Sequence, residues 1–144
     1  AKEDNLSIKT DLKDIGKFEF RPDTYEIIVA MNSLFFLSGD EFKTIIENIK
    51  KSLKLGGMAI ISSFTASDSL FEKLEHTANK LDAQTFQDDT GNSWFFLQKE
   101  ELKNMFSDFE VLFYKESTIQ DTGHDKWPEP HIHSIARIVA RKQK

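Results

Sequence analysis

The chain predicts one α/β domain in which a parallel strand–helix–strand unit is extended by an antiparallel hairpin. Two observations lead there. Tyr25–Met31 and Met58–Phe64 are nearly continuous apolar runs separated by an amphipathic helical stretch. Strands apolar on both faces belong in a parallel sheet covered by helices. Phe109–Glu116 and His133–Arg141 are two further strand-like runs, and the segment between them has no helical period. Strands joined without a crossover helix pair antiparallel.

Taken in order, Leu6–Thr10 alternates apolar and polar residues and predicts a short strand. Asp11–Asp23 is polar, holds Gly16 and Pro22, and reads as a loop or loose helical turn. Ser38 stands three residues before Glu41, the spacing of a capping box. Phe42, Ile45, Ile46, Ile49 and Leu53 then form one apolar stripe. Asp40 and Glu41 at its start and Lys50, Lys51 and Lys54 at its end suit the helix dipole. Gly56–Gly57 is expected to stop this helix, since glycine takes positive φ without strain. The resulting crossover should be right-handed. Asp68–Leu81 predicts a second helix, with Leu70, Phe71, Leu74, Ala78 and Leu81 on one face. Ala83–Ser93 is polar, contains Gly91, and reads as a surface loop. A short helix is expected around Lys99–Phe106, and a loop over Ile119–Pro130.

Composition narrows the function. The 144 residues suit one domain, 1–144, with one core. A net charge of −5 argues against nucleic acid as a partner, because phosphate-binding surfaces carry a basic excess. No apolar run is long enough to span a bilayer, and Ala1–Asn5 has no signal core, so a cytoplasmic protein without a membrane partner is expected. Cysteine is absent, which removes disulfides and thiolate metal sites. The chain opens on Ala1 rather than Met, as expected of a processed chain or a piece of a longer one. Thirteen phenylalanines predict an aromatic core, with a few free to wall a pocket.

Four motifs then occur in a familiar order. Tyr25–Met31 followed by Leu34-Phe35-Phe36-Leu37 resembles the fourth strand of class I S-adenosylmethionine-dependent methyltransferases and the turn after it. Leu53-Lys54-Leu55-Gly56-Gly57 and Ala59-Ile60-Ile61 resemble their "LKPGG" turn, with Leu55 in place of Pro, and fifth strand. Phe96–Leu102 with Phe109-Glu110-Val111 resembles the helix and sixth strand, and Ile135–Lys142 the seventh. The likeness is to the small tellurite-resistance and related small-molecule methyltransferases. It implies a partial Rossmann-like sheet, strands three to seven of the family, with the last two antiparallel. The family's acidic Gly-rich loop, which grips the methionine end of the cofactor, has no match among Gly16, Gly39, Gly56, Gly57, Gly91 and Gly123. The expectation is therefore the C-terminal part of such a domain, inactive by itself. Without strands one and two, the third strand is expected to pair against the fourth or across a homodimer through the exposed sheet edge.

The resemblance implies S-adenosylmethionine as cofactor and a small-molecule methyl acceptor. Asp11 and Leu12 match the pair that meets the adenine, although Asp11 also suits a turn cap. Ala30 and Met31 end the fourth strand at the edge where ligands of open α/β sheets bind, and Met31 suits the core equally. Asn32 is a candidate for the acceptor or for bonding the loop backbone. Trp94, His131 and His133 are candidates for the acceptor side, and Trp127 is similar to Trp94 in its setting. Asp121, His124, Asp125 and Glu129 stand near the two histidines. Such a set could ligate zinc, border the acceptor pocket or be solvated structure; no metal is assigned to it. The missing acid–base signature does not oppose methyl transfer, since the sulfonium is already activated and alignment does most of the work. The competing reading is a non-catalytic Rossmann-like relic or interaction domain that lost its cofactor site.

Overall fold

The structure is a computed structural model that describes residues 7–124 and 127–143. Strand β1 is Tyr25–Met31, helix α1 Gly39–Ser52 and strand β2 Leu53–Phe64. Helix α2 (Ser69–Thr77) leads to three short strands, β3 (Asn79–Lys80), β4 (Thr85–Gln87) and β5 (Ser93–Phe95). Helix α3 (Glu101–Met105), β6 (Glu110–Asp121) and β7 (His131–Arg141) complete the chain. The main sheet has the order β1-β2-β7-β6. β1 and β2 are parallel, as the crossover predicts, while β7 runs antiparallel to both β2 and β6. This is the order that the resemblance implies for strands four, five, seven and six.

The capping box forms. Glu41 N–H donates to Ser38 Oγ, and Ser38 N–H donates to Glu41 Oε2 at 2.9 Å. Phe42, Ile45, Ile46 and Ile49 are all buried against Ala59, Ile61, Ala136 and Ile138 of the sheet. Lys50 ties the far end of α1 to the turn after α3, donating to the Met105 carbonyl at 2.9 Å and pairing with Asp108 at 2.8 Å.

The helix ends at Ser52, before the glycines rather than at them. Leu53 turns extended, is fully buried and already pairs with Tyr25. Gly56 (φ +79°) and Gly57 instead shape an excursion inside β2 before pairing resumes at Ile27–Met58. A Cβ on Gly57 would stand 2.9 Å from the Lys54 carbonyl oxygen, so this is a close backbone approach.

Four further expectations need correction. No strand forms over Ser7–Thr10, and nothing described pairs with the outer edge of β1; Leu6 lies outside the described residues. Ile8 is 67% exposed, and one apolar side chain between polar neighbours buries too little to offset the entropy of ordering a strand. The segment 83–93 is no plain loop: β4 and β5 form a hairpin in which Phe86 is fully buried with Leu74 and Phe96 in a second small core. Helix α2 stops at Thr77 because Asn79–Lys80 joins that small sheet. The last hairpin is longer at its turn end than expected, with Asp121 paired to His131, while its open end lies where the sequence places it.

Candidate functional site

The carboxyl ends of β1 and β2, the start of β7 and the end of β6 lie at one edge of the sheet. Met31 ends β1 and is 47% exposed, while Ala30 is half-buried. Asn32 follows at φ +47°, a left-handed conformation that Asn tolerates better than most residues. Its N–H donates to the Ser62 carbonyl at 3.1 Å and lies 3.0 Å from Ser62 Oγ. The Ser62 hydroxyl in turn donates to Asn32 Oδ1 at 2.7 Å. Asn32 therefore pins the turn after β1 to the end of β2. Ala30 also lines a hollow of about 240 Å3 with Ile15, Phe20, Ile28, Ser33 and Leu34. That is below the roughly 300–1,000 Å3 of a drug-sized ligand site.

Aromatic side chains join this edge to the rest of the candidate site. Phe35 lies 4.6 Å from Phe64 between ring centroids, and Phe64 stacks on His133 at 5.9 Å. Phe35 also stacks on Trp94 at 5.5 Å. The Trp94 indole donates to Asp88 Oδ2 at 2.8 Å. The Asp88 carboxyl is held down at about 2, first by the Thr90 hydroxyl and then by Trp94, with the Asn92 and Thr90 N–H groups adding to this against a smaller effect of burial. Trp94 and Asp88 also line a cavity of about 330 Å3 with Leu70, Lys73 and Thr77.

The histidines sit at the β6–β7 end of the same edge. His131 is 5% exposed and stacks under Trp127 at 4.3 Å. Its Nδ1 is 2.8 Å from the Glu129 carbonyl oxygen, which can only accept, so Nδ1 carries the proton. His133 Nδ1 lies 3.4 Å from Asp68 Oδ2. Asp68 is buried beneath and accepts the Ser134 N–H at 2.8 Å and the Leu70 N–H at 2.9 Å. Asp121 is opposite His131 across the hairpin. The Gly123 N–H holds its carboxyl below the ordinary range despite some burial, and the nearby His131, His124 and His133 add to this.

The edge thus brings together Ala30, Met31, Asn32, Trp94, His131 and His133. Asp11 and Leu12 are not brought to it: Asp11 pairs with Lys13 at 2.8 Å, and Leu12 stands wholly in solvent. Asp68 and Ser62 were not singled out from the sequence. Asp68 reads there only as the opening of a helix, and its partners His133 and Ser134 are more than 60 residues away.

Among curated protein sequences none matches the chain. Solved structures do. TehB from Haemophilus influenzae superposes with a TM-score of 0.68 at 23% identity, over 99% of this chain and 43% of that one. An S-adenosylmethionine-dependent methyltransferase from Methanosarcina mazei gives 0.68 at 16% identity, over 92% of this chain and 66% of that one. The Burkholderia thailandensis 1,6-didemethyltoxoflavin-N1-methyltransferase, solved with bound 1,6-didemethyltoxoflavin and S-adenosylhomocysteine, gives 0.56 at 13% identity, over 90% of this chain and 48% of that one. The chain therefore spans less than two thirds of each of these relatives, and their likeness establishes the methyltransferase fold. The family model described as tellurite resistance protein TehB matches residues 1–126, and the chain belongs to that family.

Proposed function

We propose that the protein is an S-adenosylmethionine-dependent methyltransferase acting on a small molecule, and that this chain supplies the adenosine-facing turn and the acceptor wall. The observation that carries the reading is the convergence of Met31–Asn32 with Trp94 and His133 at the carboxyl edge, through the Phe35 and Phe64 rings. Ligands of open α/β sheets bind at that edge.

The residues present fit one end of the cofactor. Ala30 and Met31 offer an apolar shelf beside the small hollow. Asp11 and Leu12 would close over the adenine only if the ligand ordered their segment. None of the six glycines stands in an acidic Gly-rich loop, so this chain has no grip for the methionine end. When bound, the sulfonium supplies the electrophilic methyl group. The chain's own contribution is orientation and exclusion of water by the aromatic wall. Among the described residues no helix is long and apolar enough to cross a bilayer. The reading places the protein in the cytoplasm, where its cofactor is made, with no nucleic-acid partner.

Transfer of tritiated methyl groups to small thiols, amines and tellurium or selenium oxyanions tests this, with S-adenosylhomocysteine release as the common readout. Turnover with one acceptor class is expected of the whole protein, and none of this chain by itself, which has no grip for the methionine end. Trp94→Ala should raise the acceptor KM by about tenfold or more and leave cofactor affinity within about twofold, the pattern of lost acceptor binding. No S-adenosylhomocysteine release from the native protein with any acceptor would overturn the reading.

A further inference from the structure

We propose that His131 and His133, together with His124 and Asp121, form a binding site for a divalent transition-metal ion of the zinc class. One ligand atom from each of the four residues can be chosen so that all lie within 4.8 Å of one another. Imidazole nitrogen and carboxylate oxygen are both donors that zinc takes in tetrahedral coordination.

The hydrogen bonding of the two inner histidines carries the argument furthest. Each commits Nδ1 to an acceptor, the Glu129 carbonyl for His131 and the Asp68 carboxylate for His133. This is the outer-shell arrangement that fixes the tautomer and aims the other nitrogen of a ligating histidine. The two Nε2 atoms then face each other at 3.1 Å. With both protons on Nδ1, two lone pairs point at one another, which is repulsive unless an electrophile lies between them. The edge of a zinc tetrahedron with Zn–N near 2.0–2.1 Å measures about 3.3 Å, close to the spacing found.

The backbone explains why these residues meet. His131 and His133 are two apart on a strand, so their side chains leave the same face. Asp121 is the cross-strand partner of His131. Its Oδ1 accepts the Gly123 N–H at 2.8 Å, while Oδ2 lies 3.9 Å from His133 Nε2. His124 stacks parallel to His133 at 6.3 Å between ring centroids. An ion here would fasten the end of the β6–β7 hairpin at the carboxyl edge of the sheet. The inference stands independently of the methyltransferase reading, because its readout is the ion itself.

The experiment strips the protein with a chelator, then titrates it with zinc by calorimetry and with cobalt(II) by visible absorption. One ion per chain and the intense bands of tetrahedral cobalt are expected, with zinc displacing cobalt. His131→Gln and His133→Gln should each lower affinity by about 100-fold or more, since even outer-shell changes cost 10–100-fold. His76→Gln, the exposed histidine of α2, should leave it unchanged. Circular dichroism of the stripped variants checks their folding, and the cobalt spectrum of the unaltered protein decides without any variant. Failure of the unaltered protein to bind either ion, as when the histidine pair simply shares a proton, would overturn the proposal. So would unchanged affinity in the His131→Gln/His133→Gln double variant.

Discussion

Phe35 and Trp94 stack with their ring planes 15° apart, which couples the turn after β1 to the small β4–β5 hairpin. Trp94→Ala removes this contact and leaves Asp88 without its indole donor. Trp94 is only partly buried, so the loss should fall below the 3–5 kcal/mol of a fully buried aromatic, at about 1–3 kcal/mol. Trp94→Phe keeps the stack and should cost less. Urea denaturation measures both, and equal losses in the two variants would show that the indole bond, not the stack, holds the hairpin.

The depressed Asp88 carboxyl predicts a pH dependence with a definite sign. An unfolded Asp titrates near 3.9, while Asp88 in the fold titrates at about 2. A lowered folded value means that the ionised form favours folding. Its contribution is full above about pH 4 and disappears as the pH falls through about 2. The stability gap between the protein and Asp88→Asn should therefore narrow across that window. A gap that stays constant or widens on acidification would contradict the assignment.

The capping box predicts that Ser38→Ala lowers stability by about 0.5–2 kcal/mol, the usual range for an N-cap. The substitution frees the Glu41 N–H and removes the hydroxyl that bonds Glu41 Oε2 at 2.7 Å. Thermal unfolding followed by circular dichroism reads the effect. No change in midpoint would mean that packing of α1 against the sheet alone sets its start.

The bare side of β1 predicts self-association. Ile27, Val29 and Met31 are 52%, 59% and 47% exposed, and among the described residues no strand pairs beyond β1. An apolar unpaired edge is a template for another chain. Sedimentation should show a concentration-dependent dimer that Val29→Lys weakens. A protein that stays monomeric at its highest soluble concentration would contradict this.

Local signals made the β1–α1–β2 unit legible in the sequence. The Ser38–Glu41 spacing, the stripe from Phe42 to Ile49 and the apolar strands each lie within a few residues of their partners. The β4–β5 hairpin was not legible, because three-residue strands give no measurable period and Phe86 stands alone among polar residues. The turn end of the last hairpin is hidden for a related reason: Thr118 and Gln120 lie exposed on β6, and only cross-strand pairing reveals them as strand. For the site, His131 and His133 were visible by their spacing, but the acceptors that aim them were not, because Asp68 becomes their neighbour only through the fold. Asp11 and Leu12 rested on resemblance alone, and the fold leaves both in solvent.

The proposed function requires adenosine to dock at the carboxyl end of β1. Titrating the 15N-labelled chain with S-adenosylhomocysteine, followed by amide chemical shifts, tests it most directly. Weak, millimolar-range binding is expected, with shifts concentrated at Ala30, Met31 and Asn32 and extending to Asp11 and Leu12 as their segment orders. Micromolar affinity, or shifts centred on the opposite edge around Leu53–Gly57, would contradict it.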